Sequence, residues 1–278
     1  MTKPQIAAIT KFRALHESGC FVLPNPWDIG TAVYLQHLGF EALATTSAGF
    51  AFTRGLPDSV LSIKRDEMLA HVAEIAAATA LPVNADFQNG YADSPEEVAT
   101  SVSACIQTGI AGLSIEDNTG REGSPLYETS LAIERIRAAR RAIDESGVPV
   151  VLTARCEAAL VGNATPLEVA LERLVAFAEA GADCLYAPGL SEPHQISAIV
   201  NAVAPKPVNT LMSRPNSALT VSRLAELGVR RISVGSALAR VAWGGFIRAA
   251  KQLAEEGSFD SFAGAATIRE LDRVFDGR

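Results

Sequence analysis

The sequence predicts a (β/α)8 barrel formed by a single domain of 278 residues. Short apolar runs, typical of strands that are covered on both faces, alternate with helix-like segments from one end of the chain to the other. Eight such units follow one another without an internal linker or a low-complexity segment. We therefore expect residues 1–278 to form parallel strands that close into one barrel.

The predicted strands are the continuous apolar runs. They are Cys20–Pro24, Ala42–Thr46, Pro82–Asp86, Gly112–Glu116, Val148–Arg155, Cys184–Pro188, Pro207–Leu211 and Arg231–Gly235. An open doubly wound sheet is the alternative topology. It lacks its usual support, because no Gly-x-Gly-x-x-Gly turn follows the first strand.

Two of the intervening helices have clear start signals. Ser94–Thr108 is opened by Ser94-Pro95-Glu96-Glu97, and Pro166–Ala180 is opened by Thr165-Pro166-Leu167-Glu168. Each opening has a hydroxyl residue, then a proline at the first helical position and an acid in the first turn. Glycines then end helices just before the next strand, at Gly109, Gly181 and Gly228.

The chain continues beyond the eighth strand further than a barrel needs. One long helix is predicted from Ser236 to about Glu256, and a second over Ala263–Phe275, so residues 236–278 form a C-terminal helical extension. Trp243 and Phe246 on this extension could pack on a neighbouring subunit, although burial within one chain is the simpler interpretation.

Composition argues against several classes of partner. The net charge is -7, and the Lys and Arg residues are scattered, which argues against binding to nucleic acid or to an anionic membrane. The start of the chain has no apolar signal core, and no apolar run approaches the ~20 residues of a membrane span. We therefore expect a cytoplasmic protein.

The cysteines and histidines offer little chemistry. Cys20, Cys105 and Cys184 are expected to be buried, whereas Cys156, which follows a strand-ending arginine, could be reactive. No metal or disulfide spacing is present among the four. The histidines are predicted to be surface or capping residues; they are His16, His37, His71 and His194.

Carboxylates gather where the active site of a barrel is expected, at the carboxyl ends of the strands. Asp86 and Glu116 each end an apolar run, and Asp58 lies in the loop that follows the second strand. Such hard oxygen ligands suit Mg²⁺, which needs only one or two direct carboxylates. For Asp58 and Asp117 alone, a solvated loop position or a helix cap is the simpler interpretation.

Arg155 is the one cation that ends a predicted core strand. Its guanidinium could bind a dicarboxylate or keto acid through two hydrogen bonds, or it could form a structural ion pair with Glu157 or Glu116. The segment Thr46–Gly49 offers hydroxyls and backbone N–H groups that could stabilise an oxyanion, although small residues also make ordinary turns. Other polar or aromatic residues at strand ends are Asn25, Trp27, Asp28, Asn84, Gln88, Asn209 and Ser236.

From about Phe21 to about Glu256, the chain resembles the isocitrate lyase and phosphoenolpyruvate mutase superfamily. The motifs that match in order are Asn25-Pro26-Trp27-Asp28, Thr46-Ser47-Ala48-Gly49, Gly55-Leu56-Pro57-Asp58, Ala85-Asp86, Ile115-Glu116-Asp117, Ala154-Arg155 and Val234-Gly235. The resemblance implies a TIM barrel dependent on Mg²⁺, with Mn²⁺ as a substitute. It also implies cleavage or formation of a C–C or P–C bond beside a keto acid, through an enolate of the pyruvate type.

The resemblance also implies roles for individual residues. The expected metal site consists of Asp58, Asp86 and Glu116, with Asn84 offering an amide oxygen. Arg155 would neutralise an acid group of the substrate, and it joins Asp58 and Glu116 as an expected catalytic residue. The expected substrate-binding residues are Trp27, Thr46, Ser47, Ala48 and Asn209. Members usually form tetramers that exchange the eighth helix, so we expect a homo-oligomer, either a dimer or a helix-swapped tetramer.

Two departures from the superfamily pattern affect the chemistry. Members that cleave isocitrate or methylisocitrate carry a Lys-Cys-Gly box in the loop after the fourth strand, and mutases place Lys and Asn there; the loop Asn118–Pro125 matches neither. Asn84 stands where better-known members have an aspartate that contacts the metal.

Three functions follow from these observations. The leading hypothesis is a Mg²⁺-dependent lyase that cleaves a C–C bond in a small anionic 2-keto acid such as oxaloacetate. The alternative within enzymes is P–C bond chemistry, as in a phosphoenolpyruvate or phosphonopyruvate mutase or hydrolase. The third is a keto-acid-binding protein that has lost turnover.

Overall fold

The computed structural model, which describes residues 3–60 and 62–276, confirms the predicted barrel. Its eight parallel strands form one sheet in the order β1-β8-β7-β6-β5-β4-β3-β2. The strands are β1 (Phe21–Leu23), β2 (Leu43–Ala44), β3 (Val83–Asp86), β4 (Gly112–Glu116), β5 (Val151–Arg155), β6 (Cys184–Tyr186), β7 (Val208–Leu211) and β8 (Arg231–Ser233). At the seam between β1 and β2, the Ala44 N–H donates to the Pro24 carbonyl over 3.0 Å. The barrel is therefore nearly closed. Residues 1–2, 61 and 277–278 of the predicted domain lie outside the described residues.

Helices alternate with the strands. They are α1 (Lys3–Glu17), α2 (Ile29–His37), α3 (Ser47–Thr53), α4 (Arg65–Ala78), α5 (Pro95–Ile106), α6 (Thr129–Ser146), α7 (Pro166–Glu179), α8 (Pro193–Val203), α9 (Val221–Glu226), α10 (Ala237–Glu256) and α11 (Ile268–Phe275), with a 3-10 helix at Asp260–Gly264. None of the helices in this described part of the chain is long and apolar enough to cross a membrane.

All eight predicted strands are present, but most are shorter than expected. The largest differences are at β2, which comprises only Leu43–Ala44, and at β5, which begins at Val151 and not at Val148. Val151 pairs with Gly112, the first residue of β4, so the residues before it have no ladder partner on that side. Val148 and Val150 are nevertheless buried. Their apolar character therefore reports burial under the barrel and not strand pairing.

The helix start signals work as predicted at α5, where the Ser94 hydroxyl accepts from the Glu97 N–H. At the other end of α7, Gly181 adopts a φ of 104°, and a Cβ there would lie 2.7 Å from Arg140 Cγ. Both the left-handed backbone and the close approach of Arg140 require glycine at this turn.

The predicted helix over Ala263–Phe275 is wrong in its first half. A 3-10 helix ends at Gly264, and α11 begins only at Ile268. The reason is a capping box, in which the Thr267 hydroxyl accepts from the Glu270 N–H while the Glu270 carboxylate accepts from the Thr267 N–H.

Trp243 and Phe246 of the C-terminal extension are not buried within one chain, contrary to the simpler interpretation, whereas Val274 on α11 is buried. In α10 the buried residue is Ala239, whereas Phe246 is 62% exposed and Trp243 is 39% exposed. The two rings contact each other edge to face, with centroids 5.4 Å apart. An apolar surface of α10 therefore faces away from its own barrel.

The expectation that all four histidines are surface or capping residues is wrong for His71. Its side chain is 5% exposed and stacks on Phe50, with ring centroids 3.8 Å apart. His16, on α1, is half-buried and packs edge to face against Phe12 and Phe21. Because Phe21 begins β1, these contacts place α1 at the amino-terminal end of the barrel.

Candidate active site

A cavity of about 470 Å³ lies at the carboxyl ends of the strands, and its volume is within the range of small-molecule sites. It brings together most of the residues predicted for the site: Thr46, Ser47, Ala48, Asp58, Asn84, Asp86, Glu116, Arg155 and Asn209. Trp27 is not in its wall. A Cβ at Gly49 would lie 3.0 Å from Trp27 Cβ, so Trp27 packs behind the start of α3.

Arg155 lies at the centre of a cluster of acids in this cavity. Its Nη1 is 2.9 Å from Asp86 Oδ1, and its Nη2 is 3.2 Å from Glu116 Oε2. Glu157 Oε1 accepts from both Nη2, at 2.8 Å, and Nε, at 3.0 Å. The structural ion pair is therefore present, and the same guanidinium also lines the cavity.

Negative charge exceeds the positive charge that directly pairs with it. Burial raises the pKa of Glu116 well above its usual range, against the opposing effect of Arg155, and Glu157 adds to the rise. Burial likewise raises the pKa of Glu157. Burial alone would lower the pKa of Arg155, but the surrounding carboxylates raise it overall. The guanidinium is therefore held charged, and burial makes both glutamates weaker acids than they are in water.

Asp86 connects Arg155 with the start of α3. Its Oδ2 accepts from the Ser47 N–H at 2.9 Å and from the Ser47 hydroxyl at 2.8 Å. Thr46 is the N-cap of this helix and accepts from the Gly49 N–H at 3.2 Å. The predicted oxyanion segment is thus the first turn of a helix, and its Ser47 donors are engaged by a carboxylate.

Asp58 lies in the loop after α3, at the exposed side of the cavity. Partial burial of its carboxyl and the negative charge of Asp86 raise its pKa, and Arg155 offsets part of this rise. Burial therefore accounts for most of the rise, and the repulsion between Asp58 and Asp86 adds to it.

The donor set of the cavity fits a hard divalent cation that keeps several waters. Asn84 Oδ1 and Gln88 Oε1 are buried and have no hydrogen-bond partner among the described residues, and both side chains line the cavity. Amide oxygens of this kind, beside Asp86 and Glu116, are ligands that Mg²⁺ accepts. Within residues 3–60 and 62–276, no group of three His, Cys, Asp or Glu side chains converges on one point. Water must therefore complete any coordination sphere.

Asp117 is neither a solvated loop residue nor a helix cap, contrary to its simpler interpretation. It is 2% exposed, its Oδ1 accepts from the Glu157 N–H at 2.7 Å, and its Oδ2 is 2.9 Å from Arg173 Nη1. Asp117 does not line the cavity. It holds the backbone of Glu157, which in turn pairs with Arg155.

Cys156 is unsuited to a reactive role. It is 1% exposed, it does not line the cavity, and burial raises the pKa of its thiol.

The loop after β4 is ordered by hydrogen bonds and an ion pair, since the Thr119 N–H donates to the Pro125 carbonyl at 2.9 Å and Arg121 pairs with Asp93.

Tyr186 and Arg231 are among the cavity residues that sequence reasoning missed. Tyr186 ends β6, and its ring lies 5.0 Å from Arg155 Cζ, within reach of a cation–π contact. Burial raises the pKa of its hydroxyl to about 12. Two sequence signals could have identified them: Tyr186 ends the apolar run of β6, and Arg231 begins the apolar run of β8.

Comparison with known proteins identifies the family of the chain. The sequence model of the phosphoenolpyruvate phosphomutase family matches residues 12–254. The chain belongs to this family. The resemblance to the isocitrate lyase and phosphoenolpyruvate mutase superfamily is thereby confirmed, and the chain is a superfamily enzyme of the lyase or phosphonomutase-like type.

Relatives within the superfamily carry several activities. The chain is 31% identical to 2-methylisocitrate lyase of Escherichia coli (strain K12) over 194 residues, which are 67% of this chain and 61% of that protein. It is 31% identical to oxaloacetate decarboxylase of Rhodopseudomonas palustris (strain HaA2) over 226 residues, which are 79% of this chain and 75% of that protein.

Solved structures of the superfamily agree with the fold. A protein of Burkholderia cenocepacia J2315 assigned as a lyase/mutase is 46% identical, with a TM-score of 0.94 and coverage of 99% of this chain and 97% of that one. One assigned as a phosphonomutase, from the same organism, is 36% identical, with a TM-score of 0.80 and coverage of 89% and 99%. Oxaloacetate acetylhydrolase in complex with the product oxalate is 27% identical, with a TM-score of 0.84 and coverage of 97% and 94%.

Proposed function

We propose that this family member is a lyase that cleaves a C–C bond in a small 2-keto acid of the oxaloacetate type. The observation that carries the proposal is the position of Arg155, a charged guanidinium in the cavity wall that Asp86 connects to the first turn of α3. An anionic ligand would compete with Asp86 for the N–H donors of this fork and of Ser47 at the start of α3. The names of the oxaloacetate decarboxylase and oxaloacetate acetylhydrolase relatives support the substrate class.

In the proposed reaction, Arg155 holds an acid group of the substrate, and the keto group lies toward the start of α3. The bond between C3 and the C4 carboxylate of oxaloacetate breaks, and the C4 carboxylate leaves as CO2. The electron pair passes to the keto oxygen and forms the enolate of pyruvate, which then takes a proton at C3. The Ser47 N–H and hydroxyl, released from Asp86, would stabilise this charge.

Mg²⁺, or Mn²⁺ in its place, belongs to this proposal. Asp86 and Glu116 would hold it directly or through water, with Asn84 offering its unpartnered amide oxygen and Asp58 in the outer shell. When bound, the cation supplies positive charge for the negative charge that develops on the keto oxygen. It would also offset the carboxylate repulsion that, after burial, contributes to the raised pKa values of Glu116 and Asp58.

P–C bond chemistry is the second candidate, because the matching family is described by its phosphomutase and one similar structure is assigned as a phosphonomutase. A cavity of about 470 Å³ accommodates a phosphonate as well as a carboxylate. The loop Asn118–Pro125 matches neither the mutase pattern nor the Lys-Cys-Gly box, and the C–C lyase is favoured because decarboxylation of oxaloacetate needs no cysteine acid.

We also propose that the protein is a cytoplasmic homo-oligomer, either a dimer or a tetramer that exchanges its C-terminal helices. The support is the apolar surface of α10 and of the segment after it, which its own chain leaves uncovered: Val241 (72% exposed), Phe246 (62%), Phe259 (65%) and Ile268 (78%). Surfaces of this kind commonly mark contacts between subunits.

The test is to incubate the purified protein and Mg²⁺ with oxaloacetate, phosphonopyruvate or methylisocitrate and to follow each mixture by NMR. We expect pyruvate to form from oxaloacetate faster than in a protein-free control at the same Mg²⁺ concentration and faster than with Arg155→Ala. Phosphorus-containing products from phosphonopyruvate alone would favour the second candidate. Tight keto-acid binding with no turnover of any substrate would instead favour a binding protein.

A further inference from the structure

Arg231 is a buried cation whose neighbours are neutral. It begins β8, is 2% exposed and lines the same cavity as Arg155. Its Nε donates to Asn209 Oδ1 at 2.9 Å, and its Nη2 donates to Thr153 Oγ1 at 3.0 Å. Its Nη1 lies 3.2 Å from His16 Nε2. In the part of the chain that the structure describes, no carboxylate forms an ion pair with Arg231.

His16 is neutral, so it does not change the net positive charge around Arg231. Its Nδ1 lies 2.7 Å from the Phe12 carbonyl, so Nδ1 bears the hydrogen and Nε2 is free to accept from Arg231. Burial and the adjacent charge of Arg231 lower the pKa of His16 to about 3, which keeps the ring neutral near pH 7. All three partners of Arg231 are thus hydrogen-bond acceptors without charge.

Arginines that are removed from water are ordinarily paired with an acid, because a buried charge without a counter-charge is costly. Arg155 and Arg173 follow that rule, since both contact carboxylates, whereas the buried Arg135 donates to backbone carbonyls and does not line this cavity. A guanidinium has five N–H donors, and the three neutral contacts of Arg231 leave some of them free. Arg231 therefore has both the charge and the donors to receive an anion.

The position of Arg231 sets where such an anion would lie. Its partner Thr153 is two residues before Arg155 on β5, so both side chains point to the same face, the barrel interior. Two residues of a strand span about 7 Å. Arg231 therefore lies deeper in the barrel than Arg155, on the floor of the cavity, beside Asn209 and Ser233.

We propose that this floor is an anion subsite, in which Arg231 receives a second acid group of the ligand while Arg155 receives the first. The inference rests on the proposed function and narrows its substrate class to keto acids with an acid group at each end. Asn209 takes a positioning role in the subsite, because its Oδ1 accepts from Arg231 and its Nδ2 donates to Ser233 Oγ at 2.9 Å. It orients the guanidinium and leaves the charge uncompensated.

The test compares two unreactive ligands of equal chain length, succinate with two carboxylates and butyrate with one, by calorimetry on the full-length protein. Wild-type protein is expected to bind succinate at least about tenfold more tightly than butyrate. Arg231→Met, which keeps an unbranched apolar stem and removes the charge, should lose about ten- to a hundredfold in succinate affinity and change butyrate affinity less than about threefold. Arg231→Lys should keep most of the preference for succinate.

A purely structural Arg231 predicts a different result. Arg231→Met would then weaken both ligands equally or neither, and either outcome overturns the subsite. If Arg231→Met does not fold, Asn209→Asp decides, because it offers Arg231 a carboxylate of nearly the same shape. Loss of the succinate preference in Asn209→Asp with butyrate binding retained supports the subsite, and a retained preference overturns it.

Both experiments measure ligand binding and do not require turnover. A wild-type protein that turns over no keto acid but prefers succinate through Arg231 would leave the subsite standing and refute the proposed function. If the protein turns over oxaloacetate but its preference for succinate does not depend on Arg231, the proposed function stands and the subsite is refuted.

Discussion

Arg155 Nη1 lies 2.9 Å from Asp86 Oδ1, although the two residues are 69 positions apart in the chain. The residue predicted to bind the substrate and the residue predicted to bind the metal are therefore bonded to each other. A ligand or a cation that enters the cavity must compete for this pair, so the two functions are linked through one contact.

Replacing Arg155 by Lys should lower the affinity for oxalate by roughly ten- to a hundredfold, because a charge-assisted contact contributes ~1.5–3 kcal/mol and Lys lacks the planar fork. Arg155→Ala should lose at least as much. Calorimetry measures the affinity, and thermal unfolding reports whether the fold survives with Glu116 and Glu157 unpaired. Oxalate affinity that is unchanged in both folded variants removes Arg155 from the site.

Divalent cation binding should depend on Asp86 and Glu116. In the presence of a keto-acid ligand, Asp86→Ala and Glu116→Ala are expected to lose most of the Mg²⁺ or Mn²⁺ affinity that calorimetry detects, because each removes a hard oxygen ligand. Glu134→Ala is the control, since this acid is exposed and pairs only with the nearby Arg137 on α6. Equal affinity in all three variants would show that the metal site is misplaced.

The protein should cleave neither isocitrate nor methylisocitrate at an appreciable rate. The loop Asn118–Pro125 has no thiol to protonate the departing carbanion, and general acid catalysis commonly contributes 10²–10⁴-fold. Cys156, which follows β5, is buried outside the cavity and cannot substitute. The assay follows glyoxylate or pyruvate release; fast release from either substrate would mean that another acid, such as Glu157, performs this step.

The apolar surface of α10 should hold subunits together. Val241→Asp and Phe246→Asp place a charge on side chains that are 72% and 62% exposed within one chain, so they should leave the monomer folded and shift the protein toward a smaller assembly. Light scattering after size-exclusion chromatography measures the mass. Glu255→Gln, at an exposed polar position of the same helix, is the control. A wild-type monomer would refute the proposal.

His71 should make the fold less stable in mild acid. Burial and the charge of Arg54 lower its pKa from 6.5 to about 4. Below pH 6.5 the unfolded chain takes up a proton that the native state does not bind until about pH 4, so stability falls as the pH drops through this window. The loss between pH 7 and pH 5 is about 2 kcal/mol.

Urea unfolding at pH 7 and pH 5 measures this loss. His71→Gln should reduce the difference between the two pH values, whereas His37→Gln, at an exposed position, should leave it as in the wild type. An equal pH dependence in wild type and His71→Gln would assign the acid sensitivity to other groups.

The barrel and the location of its chemistry are readable from the sequence, because both depend on local order along the chain. Apolar runs of strand length mark the eight strands, and a run that ends in a carboxylate marks a strand end, as at Asp86 and Glu116. Parallel strands bring such ends to one side of the barrel whatever the loops do. Even so, local pattern overstates strand length where apolar residues are buried without a ladder partner, as at Val148.

The sequence does not predict which side chains contact each other within the cavity, because these contacts depend on strand register and barrel closure between segments far apart in the chain. The sequence around Arg231 does not predict that its side chain donates to Thr153, 78 residues away. Nor does it predict that Arg231 has no acidic partner among the described residues. The same holds for Asp117, which meets Arg173 and the Glu157 backbone, and for His71, which is covered by Phe50. Burial and charge balance arise from these long-range contacts, so the pKa values and the anion-binding capacity of the site follow from the folded barrel alone.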